Sequence, residues 1–178
     1  LNYNNLTSQP LYHPPSNERK FYSEDSYGYI FCPSRLEALK RQFLLIEAMK
    51  YVKSPVKAII AGTGGQYEPY KALINKYNLQ HKIKLLGHIS EREKYALYSR
   101  CLSVFFGPYD EDYGYITLEA MLSSKPVITC SDSGGPLEFV LDEVSGFVVE
   151  PNPIHIAEKL DFMYYNKNVL KHLCVTNN

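Results

Sequence analysis

The chain lacks a long apolar run, clustered cysteines, an excess of either charge and any grouping of histidines. Each absence excludes something. No apolar stretch approaches the roughly 18 residues that cross a bilayer, and the first residues carry no signal-peptide pattern. A cytoplasmic location is the expectation. Nineteen basic residues balance nineteen acidic ones, which gives no support to a nucleic-acid or anionic-membrane partner. The four cysteines, Cys32, Cys101, Cys130 and Cys174, form no C-x-x-C pair, which argues against zinc. Cys32 and Cys130 lie in apolar runs and read as small core residues. No G-x-G-x-x-G fingerprint occurs, so a dinucleotide site is not indicated. His13, His81, His88, His155 and His172 are scattered. No Ser-His-Asp or Cys-His arrangement emerges, and the chain offers no convincing general base.

What is present is a strand–helix alternation. Residues 1–27 are irregular and rich in Asn, Pro, Ser and Tyr; they read as a linker or an edge. Residues 28–178 read as one domain. Apolar runs predict strands at Tyr29–Cys32, Val56–Ala61, Ile83–Leu86, Leu102–Phe106, Pro126–Thr129 and Gly146–Val149. Helical spacing falls between them, for example at Leu45, Ala48, Met49 and Val52. Ser90 with Glu93 predicts a capping box, and Asn152-Pro153 a capped helix start. A helix is expected from Tyr115 to Ser123, a short one from Gly134 to about Leu141, and a weak one from Asn166. The fold class that follows is α/β: a Rossmann-like open parallel sheet of about six strands with helices on both faces.

Such sheets take ligands at the carboxyl ends of their strands. The polar and glycine-rich stretches fall there: Ser34-Arg35, Gly62–Gly65, Gly87-His88, Asp110–Gly114 and Ser133–Pro136. Arg35 and Lys40 after the first strand suit an anion such as a diphosphate, or else are a solvated helix start. Gly62-Thr63-Gly64-Gly65 is either a phosphate cradle or a tight turn. Glu111 and Glu119 stand eight positions apart around a glycine loop. Glu119 can accept from both hydroxyls of a ribose, or simply complement a helix dipole. Glu111 can meet sugar hydroxyls. Asp110-Glu111-Asp112 also has the look of a carboxylate metal site, but its residues are better explained as the start of the two-glutamate element. The N–H groups of Tyr115, Ile116 and Thr117 are expected to be free donors for a phosphate.

The run Ser34 to Gln42, the Glu-x7-Glu element from Glu111 to Glu119, Lys125-Pro126-Val127-Ile128, Asp132 to Val140 and Ser145-Gly146-Phe147 resemble the C-terminal half of a retaining glycosyltransferase. The group is glycosyltransferase family 4, group-1 type, and the resemblance runs from about Tyr29 to Ile156. It implies two Rossmann-like domains facing a cleft, the C-terminal one holding a nucleotide-sugar donor. By the resemblance, Arg35 and Lys40 hold the diphosphate and Glu119 the ribose. Glu111, with backbone up to Gly114, holds the donor sugar. His88 and Ile89 contact the base, and Gly134 and Gly135 lie near the donor. The donor implied is a UDP- or GDP-sugar, with no metal and no further cofactor. The acceptor implied is a glycan or a lipid-linked one, reached through a half that this chain lacks, as is any peripheral membrane contact.

Two features depart from the family. The acceptor domain and its returning tail helix are missing, and glycines at 62–65 replace a more usual acidic residue. The chain begins at Leu1, and a fragment that binds nucleotide weakly and transfers nothing is the expectation. A nucleotide-sugar epimerase or phosphorylase relative, or a non-catalytic nucleotide-binding module, are the alternatives.

Overall fold

A computed structural model of the chain describes residues 2–3, 6–7, 13–15 and 17–168. Its sheet has six strands: β1 (Tyr29–Pro33), β2 (Lys57–Ala61), β3 (Ile83–Gly87), β4 (Ser103–Phe105), β5 (Val127–Cys130) and β6 (Gly146–Val149). All pairings are parallel. The spatial order is β3-β2-β1-β4-β5-β6, the doubly wound order in which connections reverse direction between β1 and β4. That reversal opens a crevice between the loops leaving those two strands.

Among the described residues, five α-helices cover the sheet: α1 (Gln42–Ala48), α2 (Tyr67–Lys76), α3 (Glu91–Arg100), α4 (Tyr115–Leu122) and α5 (Pro153–Tyr165). Strand side chains alternate between faces, and the core divides accordingly. Ile30, Cys32, Ala58 and Ile60 pack with Leu45 of α1 and Met49 just after it, with Ile74 of α2 and with Leu160 of α5. Tyr29, Phe31, Val104 and Val127 pack instead with Tyr95 and Tyr98 of α3 and Ala120 of α4. Both faces are therefore apolar, as a parallel sheet between two helical layers requires. Burying each large apolar side chain stabilises the fold by about 1.5–3 kcal/mol.

The helix starts follow the expected signals. Ser90 accepts from the Glu93 N–H while Glu93 accepts from the Ser90 N–H, a full capping box. Asn152 caps α5 through the Ile154 N–H, with Pro153 in the first position. Asp161 of α5 accepts from the backbone N–H groups of Lys53 and Ser54 and so ties α5 to the turn after α1.

The remaining differences are local. The segment after Gly134 is a 3-10 turn, Gly135–Glu138, in which the Leu137 and Phe139 N–H groups donate three residues back, to Gly134 and Pro136. The expected weak helix from Asn166 falls largely on residues outside those described. Before β1, Asn2–Tyr3 pairs antiparallel with Leu6–Thr7. Residues from Glu18 lie against α3: the Glu24 N–H donates to Ser99, the Tyr27 N–H to Arg100, and Glu24 ion-pairs with Arg100 at 2.7 Å. Phe21 inserts its ring 4.8 Å from that of Tyr95. Cys32, Cys101 and Cys130 are buried thiols. Burial pushes Cys32 up to about 12 and Cys130 up to about 11.

Candidate functional site

Three loops meet at the crevice between β1 and β4. The first, after β1, carries Arg35 and a 3-10 turn, Ala38–Lys40. The second, after β4, carries Asp110 to Gly114. The third, after β5, carries Asp132 to Pro136. Lys40 and Glu111 are 71 positions apart in sequence, and the Lys40 ammonium donates directly to Glu111 Oε2. Both side chains are mostly buried. The next residue, Arg41, binds all three loops together. Its guanidinium grips both oxygens of Asp132, at 2.6 and 2.8 Å, and donates to the carbonyls of Gly107 and Pro108 at 2.9 and 2.6 Å. These hydrogen bonds, helped by the guanidinium charge, outweigh partial burial and hold the Asp132 carboxyl below its ordinary range. Burial works against the Arg41 charge, but the hydrogen bonds to Asp132 prevail and raise its pKa. Arg41 sits at φ 51°, a left-handed conformation that costs a non-glycine residue roughly 1 kcal/mol or more; the four hydrogen bonds offset that cost.

Backbone locks the second and third loops. The Glu111 N–H donates to Ser133 at 2.9 Å, and the Gly135 N–H donates to the Glu111 carbonyl at 2.6 Å. A Cβ on Gly134 would lie 2.7 Å from the Glu111 carbonyl oxygen, and one on Gly135 would lie 2.6 Å from that of Asp112. The glycine pair is thus required for the close approach itself. The same logic governs Gly62, whose Cβ would fall 1.8 Å from the Ser34 carbonyl oxygen. Of the two readings of Gly62–Gly65, the tight turn describes what the segment does: it interlocks with the loop after β1.

Arg35 takes another direction. It is mostly exposed and ion-pairs with Glu37 at 3.1 Å, so the structure does not gather Arg35 into the Lys40–Glu111 pair. His88 and Ile89 follow β3 on the same rim, His88 exposed and Ile89 partly buried. At the start of α4, Gly114 caps the helix in the left-handed region, φ 77°. The Thr117 N–H closes onto the Gly114 carbonyl at 2.9 Å, and the Thr117 side chain is fully buried. The expectation of a free donor at Thr117 is therefore corrected: the first turn uses it. Tyr115 and Ile116 keep the N–H groups that a helix start leaves over.

Glu119 lies in the second turn of α4. Its Oε1 accepts from Lys94 at 3.0 Å and its Oε2 from the Tyr98 hydroxyl at 2.8 Å, both residues of α3. Lys94 also pairs with Glu91 at 3.2 Å. Burial lowers the Lys94 pKa, but the two carboxylates outweigh it and raise the value. Burial, reinforced by Glu119, lifts Tyr98 well above its ordinary value. In front of Glu119 opens a pocket of about 440 Å³ bordered by Glu91, Lys94, Tyr115, His13 and Asn17. Sequence reading missed Lys94, Tyr98 and the Arg41–Asp132 link. Nothing in the spacing of α3 marks two of its residues as partners of a glutamate on α4. Among the described residues, no group of three or more His, Cys, Asp or Glu side chains could hold a metal ion, and no helix is long and apolar enough to cross a membrane.

Comparison with known proteins fits this geometry. Residues 15–174 match the family described as glycosyl transferases group 1. The chain is 36% identical over 95 residues to alpha-1,3/1,6-mannosyltransferase ALG2 of Mus musculus, 53% of this chain and 23% of that protein. It is 32% identical over 165 residues to the glycosyltransferase MJ1059 of Methanocaldococcus jannaschii, 91% of this chain and 36% of that one. Among solved structures, Anabaena Alr3699/HepE in complex with UDP and glucose superposes with a TM-score of 0.72 at 25% identity, over 83% of this chain and 42% of that one. Sucrose-phosphate synthase of Thermosynechococcus elongatus superposes at 0.80 over 91% of this chain and 45% of its own; at 20% identity it shows the fold alone. The chain spans less than half the length of each of these proteins.

Proposed function

The chain belongs to the group 1 glycosyl transferases, and from that premise we propose that it is the donor-binding half of a retaining enzyme. That enzyme moves a hexose from a nucleoside diphosphate to a glycan or lipid-linked acceptor. The observation that carries the reading is the Lys40–Glu111 pair at the sheet's reversal point. It places a cation and a carboxylate side by side where a ligand is expected. The similarity to a protein solved with UDP and glucose supports a nucleotide-sugar donor.

In this reading the bond from the sugar's anomeric carbon to the diphosphate oxygen breaks, and its electron pair leaves with the nucleotide. Lys40 stands where that negative charge grows. A charge contact already in place costs no reorganisation as the bond breaks. The N–H groups of Tyr115 and Ile116 add backbone donors at the positive end of α4. Arg35, an exposed side chain, leaves Glu37 for the diphosphate. Glu111 and the backbone to Gly114 hold the sugar hydroxyls, Glu119 the ribose, and His88 with Ile89 the base. Gly134 and Gly135 let the third loop pack onto the backbone of Glu111 and Asp112, beside the donor. The acceptor, and any membrane contact, belong to the rest of the enzyme, which works in the cytoplasm.

The test is a thermal-shift panel of UDP, GDP, ADP and their sugars on this chain, with Lys40→Ala beside it. One nucleotide class should raise the melting temperature, and Lys40→Ala should cancel most of that rise. In the complete enzyme the same change should lower turnover about 100- to 1,000-fold, and a chelator should leave activity intact. A panel in which no nucleotide stabilises the chain would sink the reading.

A further inference from the structure

Glu119 does not stand free in its pocket. Each of its two oxygens already accepts one hydrogen bond from α3, at 3.0 Å from Lys94 and 2.8 Å from Tyr98. Tyr98 is fully buried, with its ring edge-on to Phe31 at 5.0 Å and to Phe21 at 5.7 Å. Those contacts would be met as well by phenylalanine. The hydroxyl is the part that packing does not explain, because a polar atom taken into such surroundings costs free energy unless it is bonded. Its bond goes to Glu119. Lys94 reaches the other oxygen from the pocket side while held by Glu91 at 3.2 Å. Two donors on one helix thus fix the plane of a carboxylate on another. A carboxylate has about four acceptor positions, so each oxygen keeps one for a ligand.

We propose that Tyr98 and Lys94 are positioning residues that orient Glu119 so that its remaining acceptor positions meet the two hydroxyls of a ribose. This rests on the reading of Glu119 as the ribose-binding residue. A cis-diol needs both oxygens at a set angle, and a carboxylate that rotates freely gives up part of that match. The result is a device for telling ribose from deoxyribose, built from one buried hydroxyl and one ammonium that act through Glu119.

The experiment measures binding of UDP and GDP, each beside its 2′,3′-dideoxy counterpart, to the chain and to Tyr98→Phe, Lys94→Met and Glu119→Gln. The readout is the ratio of ribo to dideoxy affinity, which a general loss of stability does not move. The unsubstituted chain should favour the ribo form. Tyr98→Phe should reduce that preference roughly fivefold, the size of one lost hydrogen bond, while the dideoxy affinity stays unchanged. Lys94→Met should act in the same direction and guards against a Tyr98 variant that folds poorly. Glu119→Gln separates the two levels of argument. If it abolishes the preference while both α3 variants keep it, the positioning role is wrong and the ribose role stands. If the unsubstituted chain shows no preference, or Glu119→Gln retains it, the ribose role is wrong and the positioning role falls with it.

Discussion

The two glutamates of this crevice are held by different kinds of structure. Glu111 sits in a loop whose backbone is locked to a second loop by two hydrogen bonds and two glycines, with Arg41 fastening a third. Glu119 sits on a regular helix and is held only through side chains, by Lys94 and Tyr98 of the neighbouring helix. The first arrangement resists almost any change of shape, since no Cβ fits where the loops touch. The second tolerates substitution but depends on individual hydrogen bonds. Charge placed where a bond breaks gains from a rigid frame. A group that reads hydroxyls needs only its own orientation fixed.

The contrast can be broken hardest at the glycine pair. Gly135→Val sets a side chain 2.6 Å from a backbone oxygen, and a clash with backbone relaxes only if the loops part. The expected loss is about 3 kcal/mol, a melting-point drop of roughly 6–12 °C for a chain of this size. Gly65→Ala is the control, because a Cβ there meets nothing within 4 Å; its melting point should stay within about a degree. Equal effects would mean that the loops are not locked.

The Arg41 strut comes next. Arg41→Met removes charge-assisted hydrogen bonds to Asp132 and two carbonyls and should cost about 2 kcal/mol in urea unfolding. The pH dependence gives the sign. The Asp132 carboxyl is lowered from an ordinary 3.8 by Arg41. Its contribution is therefore full above about that value and is lost as pH falls through the lowered one. The stability gap between the chain and Arg41→Met should narrow only in that acid range. A gap that closes near neutrality would contradict the pairing.

The same contrast explains what sequence could and could not tell. The fold was legible because each strand is a short apolar run ended by glycine or a polar loop, and the starts of α3 and α5 carry their caps. Lys40, Glu111 and the glycine pair were legible because close approach needs particular residues, and these leave a pattern. Arg41 carries no such mark; in the sequence it is simply a charge next to Lys40. That it reaches Asp132, 91 positions away, depends on how three loops stack. Nothing in the sequence sets Lys94 and Tyr98 apart on α3; the packing of α3 beside α4 makes them partners of Glu119. Thr117 departs from the general rule that a helix start leaves its first N–H groups free. With Gly114 in the left-handed region, the turn closes tightly enough to use the Thr117 N–H.

The smallest effect tests whether the two holders are independent. Ser90 caps α3 one turn before Lys94, with both halves of the capping box formed. Ser90→Ala removes the acceptor for the Glu93 N–H and should cost about 1 kcal/mol. The loss should be felt as fraying of the first turn of α3, where Glu91 and Lys94 sit, and not in the loops around Glu111. Amide hydrogen exchange separates the two. The amides of Glu93 and Lys94 should exchange faster in Ser90→Ala, while those of Glu111 and Gly135, bonded across the loop pair, should keep their rates. If the loop amides speed up to the same degree, the crevice opens as one cooperative unit, and the division between a rigid frame and a side-chain clamp does not hold.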